Sequence, residues 1–259
     1  MKAGFPKATA PALRPGPARR LRNIWICAAL SGLFVSKTQK TMASEPKYLL
    51  AFGDSLTEGY YNYGTRFHPY SLKLQQLLDE NGYNVKVSER GLSGERVVDD
   101  QPDSGMVVRL PKLLDYSAAE GRNFSWVVIL GGINDIGWGA DPYTVFTGLQ
   151  SLYDTSRRHG ARVLALTCLE TATSRSDTKP NDERSRLNAL IRGAGEEAEA
   201  RGDAGFAVLD LEPLLPFPRD RYDAAGDALW DDGLHLTPAG YDRLAEIIYQ
   251  GLRDKLDDG

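Results

Sequence analysis

Short apolar runs alternate with longer amphipathic stretches along the chain from residue 46 onwards. Five of these runs have the length and the β-branched or aromatic content of strands. They cover residues 48–52, 85–88, 126–130, 162–166 and 207–211. Because helical patterns separate them, we expect βα units that build one parallel sheet with helices on both faces.

Four stretches repeat their apolar positions at helical spacing, over residues 70–81, 143–159, 181–201 and 237–256. The first two are followed by Gly82 and Gly160. Because glycine favours the conformation that ends a helix, these residues predict where the two helices stop. The last opens with Thr237 and Pro238, a capping residue followed by proline at the first helical position. The pattern predicts a single α/β domain over residues 45–259, a three-layer α/β/α sandwich around a mainly parallel five-stranded sheet.

Charge is distributed unevenly between the start of the chain and the rest. The first 44 residues carry eight basic side chains and no acidic one, whereas residues 45–259 carry 23 basic and 35 acidic side chains, a net charge of −12. An acidic body repels phosphate backbones, so the composition argues against nucleic acid as a partner.

Residues 1–44 form a basic leader that we exclude from the fold prediction. Its apolar run, residues 24–35, is too short to span a bilayer comfortably, which argues against a stable membrane anchor. Two interpretations stay open. The composition favours a transit or signal segment, and hence an organellar or secreted protein; alternatively Met42 is the true start, which predicts a cytoplasmic one.

Cysteine and histidine are both scarce in this chain. Cys27 lies in the leader and Cys168 in the body, so residues 45–259 contain no pair for an internal disulfide. Cys168 follows an apolar run, and we expect a buried structural thiol there. Three scattered histidines and one cysteine make no recognisable metal-ligand cluster, so we expect no metal and no organic cofactor.

A candidate nucleophile follows the first predicted strand. Residues 53–59 read Gly-Asp-Ser-Leu-Thr-Glu-Gly and place Ser55 at a strand-to-helix turn. The partial positive charge of a helix N-terminus favours a developing oxyanion at such a position. The motif is not the Gly-x-Ser-x-Gly elbow of the α/β-hydrolases. Taken alone, a serine in such a turn is more often a helix cap.

Two further motifs follow predicted strands and are candidates for an oxyanion hole. Residues 91–94 read Gly-Leu-Ser-Gly, a loop whose N–H groups can approach a ligand closely because glycine lacks a Cβ. Residues 131–135 read Gly-Gly-Ile-Asn-Asp and bring the amide of Asn134 to the same edge of the sheet. The alternatives are an ordinary βα loop at Gly94 and a turn cap at Asn134 or Asp135.

The candidate general base lies just before the last predicted helix. Asp232 precedes His235 by three residues, a spacing that lets the carboxylate hold Nδ1–H while Nε2 faces a serine. The other histidines are weaker candidates for catalysis. His68 lies in a loop after the serine motif, where it suits a substrate-side contact, and His159 ends a helix, where it complements the helix dipole.

Together these four blocks resemble those of the SGNH hydrolases, also called GDSL-type esterases and lipases. Ser55, Gly94, Asn134 and His235 match the four residues that give the family its name, and Asp232 matches the aspartate of its Asp-x-x-His block. The resemblance spans residues 48 to about 256. It implies a flavodoxin-like fold with an open site and a Ser55-His235-Asp232 triad. It also implies an oxyanion hole built from the backbone N–H groups of Ser55 and Gly94 and the side chain of Asn134.

The resemblance further implies a serine esterase that hydrolyses carboxylic esters of small or medium acyl groups through an acyl-enzyme on Ser55. An acyltransferase that passes the acyl group to a sugar or lipid alcohol uses the same intermediate and stays open, as do peptidase and phospholipase activities. A catalytically silent binding module predicts a broken triad, whereas all three triad residues are present. The expected partner is a small-molecule ester, and the sequence does not determine the oligomeric state.

Several side chains close to the blocks are candidates for substrate contacts, although aromatic residues serve more often in packing. The candidates are Asp54, Tyr60, His68, Trp138 and Trp230. Residues 97–106 read as an acidic loop that shapes substrate entry or has no role of its own.

Overall fold

The computed structural model describes residues 45–172, 178–218 and 228–256 of the chain. The predicted leader, residues 1–44, lies outside the described residues. The strands are β1 (Lys47–Gly53), β2 (Tyr60–Tyr61), β3 (Arg66–Phe67), β4 (Val85–Gly91), β5 (Phe124–Leu130), β6 (Arg162–Leu166) and β7 (Phe206–Leu209). The helices are α1 (Ser55–Glu58), α2 (Tyr70–Glu80), α3 (Met106–Ala119), α4 (Ile133–Gly137), α5 (Pro142–Arg158), α6 (Thr178–Ala200) and α7 (Pro238–Leu256).

Five of the strands form one sheet in the order β4-β1-β5-β6-β7, and every neighbouring pair is parallel. This confirms the predicted fold class and all five predicted strands. Counted along the chain, the order is 2-1-3-4-5, the flavodoxin-like arrangement. From β1 the chain adds one strand on one side, β4, and the later strands on the other side, starting with β5. Ligands bind such folds beyond the carboxyl ends of the strands at this switch point between β1 and β5.

The sheet is covered on both faces, which explains why its strands are apolar on both sides. In β1, Leu49 and Ala51 belong to one buried core and Leu50 and Phe52 to the other. Helices α2 and α7 pack on the first face, and α3, α5 and α6 pack on the second. Strand β1 is therefore buried on both faces and lies between two neighbouring strands.

The predicted helix ends agree with the structure to within a few residues. Gly82, just beyond α2, has a φ of 79°, and Gly160, just beyond α5, has a φ of 81°. The N-terminus of α7 is capped by Thr237, whose Oγ1 accepts a hydrogen bond from Gly240 N–H at 3.2 Å. None of the helices in the described parts of the chain is long and apolar enough to cross a membrane.

Helices α3 and α4 and the strands β2 and β3 were not predicted from the sequence. Helix α3 follows the acidic loop and contains Pro111, a residue that usually breaks a helix interior. The helix forms nonetheless because burial of Met106 and Leu110 against the second face of the sheet stabilises it. A small antiparallel hairpin, β2 paired with β3, follows α1.

Candidate active site

Ser55 is the first residue of α1 and lies two residues after Gly53, the last residue of β1. The turn is tight because Gly53 has no Cβ: an added Cβ would lie 2.3 Å from the carbonyl oxygen of Leu130. Asp54 caps α1, since its Oδ1 accepts a hydrogen bond from Leu56 N–H at 2.9 Å. Ser55 is therefore positioned by the central strand and a capped helix.

His235 meets Ser55 from a distant part of the chain. Its Nε2 lies 2.9 Å from Ser55 Oγ, and its Nδ1 lies 2.8 Å from Asp232 Oδ2. Asp232 Oδ1 accepts hydrogen bonds from the backbone N–H groups of His235 and Leu234 at 2.8 and 3.0 Å. Partial burial opposes the charged form of Asp232, but these hydrogen bonds outweigh it and lower its pKa. An ionised Asp232 holds the Nδ1 proton, which leaves the Nε2 lone pair facing the serine hydroxyl.

The segment 231–235 carries this aspartate and histidine without forming a regular helix or strand. Asp231 N–H donates to the His235 carbonyl oxygen at 2.8 Å, and Ala172 N–H donates to the Gly233 carbonyl oxygen at 2.7 Å. Gly233 has a φ of 90°, and a Cβ there would lie 2.8 Å from the Ala172 Cβ. Glycine is therefore required for this segment to pack against residue 172.

The hairpin β2–β3 supports the imidazole of His235. The ring of Tyr60 packs on it with centroids 4.3 Å apart and planes inclined by 36°. The hydroxyl of Tyr241 donates to the Tyr60 carbonyl oxygen at 2.7 Å, and Asn62 N–H donates to Asp231 Oδ2 at 2.6 Å. These contacts limit the movement of both the ring and the segment beside it.

Three hydrogen-bond donors of the predicted oxyanion hole have capacity for a ligand. Ser55 N–H occupies the first helical position, where an α-helix offers no acceptor. Within the described part of the chain, neither this group nor Gly94 N–H has a hydrogen-bond acceptor. Asn134 Nδ2 donates one hydrogen to the Glu95 carbonyl oxygen at 2.9 Å, which leaves its second hydrogen available.

The loop that follows β4 lies directly against α1. Leu92 N–H donates to the Gly53 carbonyl oxygen at 3.1 Å, and Ser93 N–H donates to the Glu58 carboxylate at 2.8 Å. A Cβ on Gly91 would lie 2.1 Å from the backbone nitrogen of Glu58. Only glycine permits this approach, which brings the predicted second block beside the serine turn.

Two buried carboxylates lie beneath the site. Asp135 accepts hydrogen bonds from Val97 N–H at 2.9 Å and Val98 N–H at 3.1 Å, and so joins the segment after the second block to α4. Sequence reasoning considered Asp135 only as a turn cap. Asp54, predicted as a substrate contact, is fully buried. Its Oδ2 has no partner among the described residues, and burial raises the pKa of Asp54 to about 7.

The two histidines that do not contact Ser55, His68 and His159, are each paired with a carboxylate. His68, a predicted substrate contact, has its Nε2 2.8 Å from Asp242 Oδ1 on α7. His159 follows α5, and its Nε2 lies 2.9 Å from Asp115 Oδ1. The hydrogen bond to Asp115 is the main reason that the pKa of His159 is raised. His159 is therefore placed at a helix C-terminus, as the sequence indicates.

The two tryptophans among the substrate-contact candidates have opposite environments. Trp138 is 78% exposed, and the Arg96 guanidinium lies 5.9 Å from its ring centroid. Trp230 is buried and packs on the ring of Phe217 at a centroid distance of 4.7 Å. Of the five candidates, Tyr60 is the one whose ring contacts the imidazole of the candidate base.

Cys168 is a buried free thiol whose pKa is raised to about 12 by desolvation. A thiol in this state is not a nucleophile near neutral pH. Across residues 45–172, 178–218 and 228–256, no group of three or more His, Cys, Asp or Glu side chains is arranged to hold a metal ion.

Comparison with protein families gives one match that covers most of the body. The model of the GDSL-like Lipase/Acylhydrolase family matches residues 51–243. A search of the curated proteins finds no match.

Solved structures of esterases share the fold. A carbohydrate acetylesterase family member from Sinorhizobium meliloti is 20% identical with a TM-score of 0.60, and the match covers 82% of this chain and 99% of that one. A family 3 carbohydrate esterase from Clostridium thermocellum is 20% identical with a TM-score of 0.62, covering 83% and 98% of the two chains. The aryl esterase of M. smegmatis is 20% identical with a TM-score of 0.58, covering 80% and 99%.

Proposed function

Because the chain belongs to the GDSL-like lipase/acylhydrolase family, and is thereby a carboxylic ester hydrolase, we propose that it acts through an acyl-enzyme on Ser55. In this proposal His235 is the general base and Asp232 orients it. One observation carries the assignment: Ser55 Oγ, the His235 ring and the Asp232 carboxylate form a continuous chain of contacts at 2.9 and 2.8 Å. Such a chain activates a hydroxyl that is otherwise a weak nucleophile.

Acylation begins when Ser55 Oγ attacks the ester carbonyl carbon and its proton passes to His235 Nε2. The carbonyl oxygen becomes an oxyanion. The donors that support its stabilisation are the backbone N–H groups of Ser55 and Gly94 and the second Nδ2 hydrogen of Asn134. Asp232 stabilises the imidazolium formed in the same step. His235 then returns the proton to the leaving alcohol oxygen as the carbon–oxygen bond breaks.

Deacylation repeats the same steps with water as the nucleophile. His235 removes a proton from water, and the resulting hydroxide attacks the acyl carbon to form a second oxyanion at the same donors. Collapse breaks the bond to Ser55 Oγ, which recovers its proton from His235 and releases the acid. The chemistry assigned to these residues needs no group beyond the chain and water.

We assign small or medium acyl esters as the substrate class. Structures with this fold include a protein described as a carbohydrate acetylesterase family member, and an acetyl ester carries a small acyl group at the reacting carbon. Large apolar side chains are exposed in the hairpin and in the loop after β4, at Tyr63, Phe67 and Leu92. Such side chains favour contact with the apolar part of a substrate.

The proposal is tested with a series of p-nitrophenyl esters from acetate to dodecanoate, assayed with the full chain and with Ser55→Ala. We expect Ser55→Ala to lose roughly six orders of magnitude in kcat, as nucleophile removal does in a serine protease triad. Ser125→Ala is the matched control, because that hydroxyl donates to the Tyr48 carbonyl oxygen at the opposite end of the sheet. Equal rates for Ser55→Ala and the wild type would eliminate Ser55 as the nucleophile.

Acyl transfer to an alcohol is an outcome of the same assay. Products are analysed with and without an acceptor such as glycerol or a sugar. Free acid as the main product in both cases supports hydrolysis, whereas a dominant new ester in the presence of the acceptor assigns the chain to the transferases.

A further inference from the structure

We propose that Arg109 is a positioning residue that fixes the geometry of the oxyanion hole. The inference rests on the function proposed above and extends it to a side chain that does not touch the reacting atoms. Arg109 lies on α3, a helix that was not predicted from the sequence. Its guanidinium joins three segments that have to be held in register for the three donors to converge.

The contacts of the Arg109 guanidinium use both of its edges. Nε donates to Glu95 Oε1 at 2.7 Å, and Nη2 donates to Glu95 Oε2, which completes a two-pronged ion pair. Nη2 also donates to the Gly53 carbonyl oxygen at 3.0 Å, and Nη1 donates to the Arg90 carbonyl oxygen at 3.1 Å. The guanidinium carbon lies 4.2 Å from the ring centroid of Phe52, which fixes its plane. One side chain therefore links the ends of β1 and β4 to the loop after β4.

Glu95 is the residue that transmits this constraint to the oxyanion hole. Its side chain is only 6% exposed, and it follows Gly94 directly. Its backbone N–H donates to the Leu92 carbonyl oxygen at 3.1 Å, and its carbonyl oxygen accepts the Asn134 Nδ2 hydrogen bond at 2.9 Å. Glu95 is therefore connected to both predicted donors outside α1. Gly94 is its neighbour in sequence, and the Asn134 side chain is hydrogen-bonded to its carbonyl oxygen. Arg109 also holds Gly53, which lies two residues before Ser55.

Lysine cannot reproduce these contacts. A planar guanidinium presents several donors in a fixed fork, whereas an ammonium is a single point charge on a flexible stem. Loss of the fork frees the loop after β4 to shift relative to the serine turn. A displacement on the order of 1 Å at a reacting centre is enough to slow a reaction roughly a hundredfold.

The test compares Arg109→Lys and Arg109→Met with the wild-type chain. We expect kcat for p-nitrophenyl acetate to fall about tenfold in Arg109→Lys and roughly a hundredfold in Arg109→Met, with KM changed less than about threefold. A trifluoromethyl ketone, whose carbonyl adds to the nucleophile and becomes an oxyanion, should lose affinity by the same factors. If Arg109 has a purely structural role, the loss of inhibitor affinity will not match the loss of kcat in the two variants.

Arg192→Met is the matched control, because Arg192 is also a partly buried arginine held in ion pairs, with Asp210 and Glu212, but contacts no residue of the loop after β4. We expect it to lower Tm while kcat and inhibitor affinity stay within about twofold of the wild type. If Arg109→Met does not fold, Arg109→Met combined with Glu95→Gln removes the unpaired buried charge and gives the same kcat comparison.

Unchanged kcat and inhibitor affinity in folded Arg109 variants would overturn the inference. Equal losses in Arg192→Met would overturn it as well, since the effect would then follow stability alone. Failure of the proposed function is recognised separately. In that case Ser55→Ala keeps its activity and the trifluoromethyl ketone binds wild type and Ser55→Ala equally well.

Discussion

The two halves of the site are built in different ways. The serine half, residues 53–59, is part of the buried core. Asp54, Leu56 and Thr57 are fully buried, and Ser55 is 3% exposed. The histidine half is the segment 231–235, which lies at the surface and is held by a few hydrogen bonds. Of the candidate oxyanion donors, Ser55 N–H belongs to the serine half, whereas Gly94 and Asn134 follow β4 and β5 and are tied to α1 and α3 through Ser93 and Glu95.

Because of this difference, we expect substitutions in the two halves to have different effects on folding stability and on the reaction. Residues of the serine half contribute to the central sheet and its helices, so changes there affect folding as well as reaction. Residues of the histidine half contribute little buried area, so we expect changes there to affect the reaction with little effect on stability. The following substitutions test that separation, beginning with the largest effect expected.

His235→Ala is expected to reduce kcat by roughly six orders of magnitude, because removing the base of such a triad costs about as much as removing the nucleophile. Its Tm should fall by no more than about 3 °C, since few buried contacts are lost. Esterase kinetics and thermal unfolding measure the two effects. The control is His159→Ala, which removes the histidine paired with Asp115 and should keep near-normal kcat. A loss of folding in His235→Ala would contradict the proposed separation.

Asn134→Ala is expected to reduce kcat by a factor of about 10² to 10³, or roughly 3 kcal/mol of barrier, with little change in KM. It should also lower Tm, because the hydrogen bond from Asn134 Nδ2 to the Glu95 carbonyl oxygen is lost. Steady-state kinetics and thermal unfolding on the same sample test both parts. A variant with normal kcat and reduced Tm would assign Asn134 to the scaffold alone.

Tyr60→Leu is expected to reduce kcat/KM about tenfold, since the imidazole of His235 loses the flat ring against which it packs. Tyr60→Phe keeps the ring and should behave like the wild type. The comparison is made with one ester under identical conditions. Equal activity of the Leu and Phe variants would mean that the hairpin does not orient the base.

Asp54→Asn is expected to change stability in a pH-dependent way. Burial raises the pKa of Asp54 from 3.8 to about 7, so between these values the folded state binds more protons than the unfolded state. Wild-type stability therefore falls as pH rises through this window, and the full cost of the buried charge is present above pH 7. Asparagine carries no such cost and keeps an oxygen to accept the Leu56 N–H hydrogen bond.

The stability difference between Asp54→Asn and the wild type should therefore grow in favour of the variant from pH 4 to pH 8, by on the order of 3 kcal/mol. Urea unfolding at several pH values measures it. A difference that is constant with pH would contradict the raised pKa of Asp54.

The sequence predicted the sheet well because its signal is local. Runs such as residues 126–130 are apolar at every position, as strands covered on both faces must be, and glycine and threonine mark the helix ends. Helix α3 was missed because Pro111 suggests a break, whereas burial of Met106 and Leu110 overrides that local preference.

The candidate site was predictable only in part. Ser55, Gly94, Asn134, Asp232 and His235 are each placed by short blocks after strands or before a helix, and a resemblance of ordered blocks is visible in sequence. The supporting residues are not. Asp135 and Arg109 contact segments 14 to 56 residues away, which no local pattern encodes. Trp230 is adjacent to the Asp232 block in sequence, yet it is buried against Phe217.

Chemical trapping of the nucleophile tests the central claim most directly. The full chain is incubated with diethyl p-nitrophenyl phosphate, which phosphorylates an activated serine, and its peptides are analysed by mass spectrometry. We predict one diethylphosphoryl group on Ser55 and complete loss of esterase activity, with no labelling of Ser55 in the His235→Ala variant. Inactivation with the label on another residue, or equal labelling of Ser55 when His235 is absent, would contradict the account.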